Sequence, residues 1–277
     1  MAESPAIRQQ GWRQGAVLGD ALVADLVDRG MLLSGYRKGK PLCMVVFQTC
    51  DLIHDSFEAE PYFWVLPAWP VPGPKPDGNL TNAKNPRRYQ FTLDSGEGTL
   101  VYESPIHGLA SLDRALLANH APSGIEIPTD ELKKLLHWIT LRFIRPAFPD
   151  AFNDRLRKRW QSIRKLTKKE AGCYLTGLYL VLDPDEELED GKTYQISLLG
   201  AIRVEDHDDM AKRAAAEELI YSIECEMARC EGIDVVHAEC LSEKDVTLHD
   251  LRKSRKWSSF DEFSLRSDDV GSILPSH

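Results

Sequence analysis

Cys50, Asp51 and His54 follow directly on the apolar run Leu42-Cys-Met-Val-Val-Phe47, with Thr49 before them and Lys40 at the far end of the run. This is the densest group of reactive side chains in the chain. A thiol at a strand-to-helix junction ionises more readily when a helix N-terminus points at it, and a neighbouring imidazole helps to deprotonate it. Cys50 and His54 stand four residues apart, on one face of a helical turn, a spacing that also permits metal ligation. Two ligands do not complete a site, and the others would have to come from His107, His120 or elsewhere. The packing alternative puts Cys50 in the core and makes Asp51 the cap of the following turn. No metal set and no cofactor motif is complete in the sequence, so neither a metal nor a cofactor is expected.

A second kind of chemistry is electrostatic. From Arg142 to Lys169 the chain carries ten basic residues and two acidic ones, a net of +8 in a protein whose total is −9, so the remainder carries −17. Arg155, Arg157, Lys158, Arg159, Arg164 and Lys165 form the centre of this segment, and Trp160 is available for stacking. Such a stripe grips a nucleic-acid backbone or an acidic partner. Its alternative is a solvated helix face, or one paired internally with the acidic Asp183–Asp190 turn and the 205–209 stretch. Asn82, Lys84, Asn85, Arg87 and Arg88 add a smaller polar-basic group that suits phosphate contacts, and Arg252, Lys253, Arg255 and Lys256 add another beside Trp257. Expected partners are therefore RNA or DNA through the basic helix, or a partner protein.

These residues need a frame. Leu42 to Phe47 reads as a strand buried on both faces, with residues 60–71 as its antiparallel partner and prolines at the partner's ends. Residues 72–88 form a long Pro/Gly/Asn loop. Tyr89–Leu93 and Thr99–Glu103 read as a hairpin around Ser95-Gly-Glu-Gly98. Residues 1–10 read as a loose arm, and the helical or extended character of 21–33 stays open. Pro128-Thr-Asp-Glu opens a helix with Leu132, Leu135, Leu136, Ile139 and Phe143 on one face. A second helix is predicted over 149–169, with Phe152, Leu156, Trp160 and Ile163 as its stripe.

Strands over 173–182, 194–204 and 233–240, with a helix over 208–230 between the last two, give a β-β-α-β unit. The fold class expected is α+β: a small, SH3-like β-barrel over 12–125, a helical linker with the basic helix over 126–170, an α+β domain over 171–265 and a disordered tail over 266–277.

The order Trp12-Arg-Gln-Gly-Ala-Val-Leu18, a Gly/Lys turn, Lys40-Pro-Leu-Cys-Met-Val-Val-Phe-Gln-Thr49 and a strand ending in Leu66-Pro-Ala resembles the opening of MazF/PemK-type toxins. The likeness covers about the first 70 residues. It implies an SH3-like barrel, with the position of Lys40 and a Ser/Thr such as Thr49 assisting RNA phosphodiester cleavage. Ala16 stands where that family has Asp, and Lys40 where it has Arg, so the bidentate fork is missing. The Gln48-Thr-Cys-Asp51 element and Arg145-Pro-Ala-Phe-Pro149 also resemble an uncharacterised bacterial family, which implies no substrate.

Composition narrows the classes. The sequence has 43% hydrophobic and 28% charged residues, the proportions of a globular chain. A net charge of −9 argues against indiscriminate polyanion binding. Six cysteines without CxxC spacing, no leader-like start and no long apolar run predict a cytoplasmic protein with no membrane partner. Three functions fit. The first is a nucleic-acid-associated component of a bacterial stress or antiviral defence system, its toxin-like barrel a binding module or degenerate RNase. The others are a non-enzymatic adaptor, and a cysteine- or metal-dependent hydrolase using Cys50 and His54.

Overall fold

Residues 4–73, 75–94, 98–144 and 148–257 are described in a computed structural model of the chain. They form a mixed α+β structure with two sheets, divided between two compact units, Met1–Arg142 and Phe143–His277. The expected tail over 266–277 lies outside the described residues.

The first unit opens with α1 (Ser4–Gln9), whose Ile7 is fully buried, so the start is anchored rather than a loose arm. Residues left open in the sequence become helix α2 (Asp20–Asp28), because Leu22, Val23 and Leu26 share one buried face. β1 (Leu42–Val45) is buried at every position. After it come the short helix α3 (Thr49–Leu52), the long strand β2 (Tyr62–Val71), the turn-like α4 (Gly78–Thr81), β3 (Arg88–Asp94), β4 (Thr99–Pro105), β5 (Ala110–Asp113) and α5 (Thr129–Ile144). The 72–88 loop is thus not structureless: the Asp77 side chain accepts a hydrogen bond from Asn79 N at 2.9 Å and starts α4.

β2 organises this unit. One edge pairs antiparallel with β1, from Leu42↔Ala68 to Val45↔Val65. Its other edge is shared by β5, from Tyr62↔Asp113 to Val65↔Ala110, and by β4, from Trp69↔Glu103 to Val71↔Val101. β4 and β5 are in effect one partner, bent where the Ile106–Gly108 turn is inserted. A Cβ on Gly108 would sit 3.0 Å from Pro67 Cγ, so the bend passes the strand too closely for a side chain. The 15–18 segment lines the free edge of β1 through the Val17↔Met44 bridge and Gly15 N→Val45 O at 2.8 Å. β3 pairs with β4 along its length, and among the described residues β1 and β3 do not pair, so the sheet stays open.

Trp12, Leu26, Cys43, Val45, Phe63, Val65 and Leu112 share one core in this unit. Tyr89 packs against Trp138 of α5, with ring centroids 5.5 Å apart. The buried face of α5 is Leu135, Trp138 and Ile139. Phe143, expected on that face, is 64% exposed.

In the second unit the predicted single helix over 149–169 is broken into α6 (Asp150–Leu156), a 3-10 turn (Arg157–Arg159) and α7 (Trp160–Thr167). β6 (Leu175–Asp183) pairs antiparallel with β7 (Tyr194–Ile202). After α8 (Val204–His207), the crossover helix α9 (Met210–Ala228) brings β8 (Ile233–Ser242) parallel to β7, as such a pairing requires. The last elements are α10 (Leu248–Lys253) and β9 (Arg255–Lys256), the latter on the outer edge of β6. The sheet order is β8-β7-β6-β9. Phe152, Leu156 and Ile163 join Leu178, Leu198, Ile220 and Ile223 in its core. The basic segment is therefore built into the second unit, whereas α5 covers β3 in the first.

Candidate functional site

The strand-end group sits where β1 gives way to α3. Arg114, at the close of β5, is completely buried and spends its guanidinium donors on backbone carbonyls. Its Nη1 donates to the carbonyls of Leu52 at 2.9 Å and His54 at 2.6 Å, its Nη2 to Ser56 at 2.7 Å, and its Nε to Glu60 at 2.6 Å. It caps the C-terminal end of α3 and clamps the loop that follows. The Phe57 ring lies 4.5 Å below the guanidinium carbon. Burial lowers the Arg114 pKa from its ordinary value.

Within that clamp, Cys50 is exposed, so the core reading of this cysteine does not hold. Asp51 does not cap α3 either; its Oδ1 lies 3.2 Å from Cys50 Sγ. This carboxylate pushes the Cys50 thiol up from its ordinary value, opposite to what a nucleophile needs. His54 Nδ1 faces the backbone N of Ser56 at 3.1 Å. Thr49 Oγ1 accepts from Gln14 N at 3.0 Å. Lys40 lies at the opposite end of β1 from Thr49, 83% exposed and 3.8 Å from Asp20. The two positions that the toxin resemblance would bring together are thus separated by the whole strand. Among the described residues no group of three or more His, Cys, Asp or Glu is placed to hold a metal ion.

The basic segment divides by role. Arg155 donates to the carbonyls of Lys192 at 2.8 Å, Gly232 at 2.9 Å and Glu189 at 3.1 Å, and stacks over Tyr194 with 4.8 Å to the ring centroid. It knits α6 to the β6–β7 and α9–β8 turns. Gly232 has φ +76°, and a Cβ there would lie 2.9 Å from the Arg155 guanidinium. Around this stitch opens a cleft of ≈ 1000 Å³, lined by Arg155, Lys158, Arg159, Lys192 and Arg229 with Asp154, Asp190 and Glu231. Arg159 reaches Glu226 at 3.7 Å, and Arg229 pairs with the same carboxylate. Arg157 pairs with Asp154 and lies over the Trp160 ring. Arg164 and Lys165 are exposed on α7, outside the cleft lining.

Of the expected basic group near the C-terminus, two members are structural: Lys256 Nζ donates to Thr176 O at 2.9 Å and Arg255 pairs with Asp185, beside the buried Trp257, while Arg252 and Lys253 are exposed on α10. Lys192 and Arg229 were not singled out in the sequence, because they are distant in the chain and only the turns bring them to Lys158.

A further cluster has no sequence motif. Glu103 is fully buried on the face of β4 opposite α5. Burial by itself would raise its pKa, but hydrogen bonds from Arg37, Tyr36 and Gln90 more than offset that, and the carboxyl titrates below its ordinary value. It was not singled out in the sequence; the one signal that could have found it is an acid at an inward strand position, two residues on from Val101. Arg87 and Arg88, at the start of β3, are both exposed, and Arg88 reaches Glu103 at 3.7 Å.

Comparison with protein-family models, with curated proteins and with solved structures found no match for the chain.

Proposed function

We propose that the protein is a nucleic-acid-associated component of a bacterial stress or antiviral defence system, and that it holds the RNA or DNA backbone in the basic cleft of its second unit. The observation that carries this reading is the convergence of Lys158, Arg159, Lys192 and Arg229, from three separate elements, on one cleft of ≈ 1000 Å³ in a chain of net charge −9. An acidic chain with a local basic recess binds polyanions there rather than indiscriminately. Asp154, Asp190 and Glu231 in the lining limit how a backbone can lie.

The first unit is, in this reading, an open SH3-like barrel that acts as a binding module. Two features support it: β2 serves partners on both edges, and the β4–β5 partner bends sharply at Ile106–Gly108. Cleavage by the Lys40 and Thr49 positions is disfavoured by their separation along β1. A Cys50/His54 hydrolase is disfavoured by Asp51, which pushes the thiol up from its ordinary value. All six cysteines are free, which fits a reducing cytoplasm. Among the described residues no helix is long and apolar enough to cross a membrane, and no membrane partner is proposed.

The test is the salt dependence of oligonucleotide binding. Log K should fall linearly with log salt, and each cleft cation removed should lower the slope by roughly 0.7 to 0.9. Absence of salt-dependent binding to both RNA and DNA would defeat the reading. Recovery of a stoichiometric acidic protein in place of nucleic acid would assign the cleft to the adaptor function.

A further inference from the structure

The loop before β1 and the hairpin β3–β4 bring two guanidinium groups onto one buried carboxylate in the first unit. Glu103 Oε1 accepts from Tyr36 Oη at 2.7 Å and Arg37 Nη2 at 2.7 Å, and Arg88 Nη1 stands 3.7 Å from the same oxygen. Gln90 Nε2 holds Oε2 at 2.8 Å. One negative charge therefore serves two cations, and the cluster keeps an excess positive charge.

Arg37 Nε is buried and has no hydrogen-bond partner among the described residues. The Arg37 side chain as a whole is 31% exposed, so the outer part of the guanidinium is open to a ligand. The outer rim is accessible. The Arg88 side chain is 46% exposed, and His107 is exposed with its ring 5.8 Å from Tyr36 at 71°.

We propose that Arg37 and Arg88 bind the phosphate of a nucleotide, with its base laid against the His107 ring. Two guanidinium groups approaching from different elements suit a tetrahedral anion with several acceptor oxygens better than a planar carboxylate, which one fork satisfies. The His107 imidazole beside Tyr36 offers a flat face for a base. Glu103 acts as the positioning residue: it fixes both arginines and touches no ligand. Gly35 at φ +71° and Gly39 at φ +98° let the loop turn back over the sheet to deliver Arg37. The site shares no residue with the cleft of the second unit, so either can fail without the other.

The experiment is isothermal titration of the full chain, in the Lys158→Ala/Arg229→Ala background that disables the cleft, with adenosine 5′-monophosphate and with inorganic phosphate. The nucleotide should bind more tightly than phosphate alone. Adding Arg88→Ala and His107→Ala should weaken nucleotide binding at least ~10-fold, as loss of charge-assisted bonds predicts, with the near-ultraviolet circular dichroism unchanged. Arg88→Lys, which keeps the charge and loses the fork, should fall between. Equal nucleotide affinity with and without Arg88 and His107, or no nucleotide binding at all, overturns the site. Equal affinity for phosphate and nucleotide overturns the base contact.

Discussion

Cys50 shows how one neighbour decides the chemistry of a residue. Its exposure and its place at the start of α3 favour a reactive thiolate, yet the Asp51 carboxylate lies 3.2 Å from the sulfur and pushes the thiol up from its ordinary value. Asp51→Asn should therefore make Cys50 react several-fold faster with iodoacetamide at neutral pH, as read by peptide mapping; an unchanged or slower rate would remove Asp51 from this role. Cys43 is the internal control, since burial pushes its thiol up to about 12.

Glu103 is the counterpart inside the first unit. Its folded pKa is depressed, so its contribution to stability is fully present above the unfolded carboxylate value and is lost as pH falls from there through the depressed folded value. Glu103→Gln should cost about 2–3 kcal/mol at neutral pH, the worth of hydrogen bonds to a charged group, and should flatten the acid limb of the stability curve. Equal acid sensitivity in the two proteins, followed by urea unfolding, would contradict this. Neither relation was legible in the sequence. Cys50, Asp51 and His54 could be picked out by type and spacing, but the direction of the Cys50 shift depends on which way Asp51 turns. Arg114 gave no signal, because its five carbonyl partners lie between residues 51 and 60, far from it in the chain.

Among the elements, those with strong periodicity were legible. β1 and β2 follow from an apolar run and a proline-bounded partner, and β6, β7, α9 and β8 appear in the expected order. The failures have local causes. α1 was missed because a single buried residue, Ile7, anchors it. The helix over 149–169 was read as continuous because Phe152, Leu156, Trp160 and Ile163 keep a helical spacing across the break at Arg157–Arg159. Packing of α9 on β7 makes a sharp prediction. A Cβ on Gly200 would lie 2.5 Å from Ile220 Cδ1, so Gly200→Ala should destabilise the second unit by about 1–3 kcal/mol. Ile220→Ala in the same chain makes room for the added methyl, and denaturant midpoints should show the pair costing less than the sum of the single changes. Strict additivity would mean that the two residues do not meet.

At the scale of the molecule, charge asymmetry was the most informative sequence feature, but it named a segment rather than a site. Part of that promise is spent internally: Arg155 stitches turns together, Arg157 pairs with Asp154 and Arg159 reaches Glu226. What remains for a ligand is a cleft completed by Lys192 and Arg229, which only the β6–β7 and α9–β8 turns bring to Lys158. The net charge of −9 then serves solubility, and the cleft provides the local exception.

The most direct measurement is the binding of a fluorescein-labelled single-stranded oligonucleotide by anisotropy, from low to physiological salt, to the unaltered chain and to Lys158→Glu/Arg229→Glu. The cleft predicts steep salt dependence in the first and at least ~100-fold weaker binding in the second, since two contacts are lost and two repulsions gained. Binding that is as tight and as salt-dependent after charge reversal would contradict it.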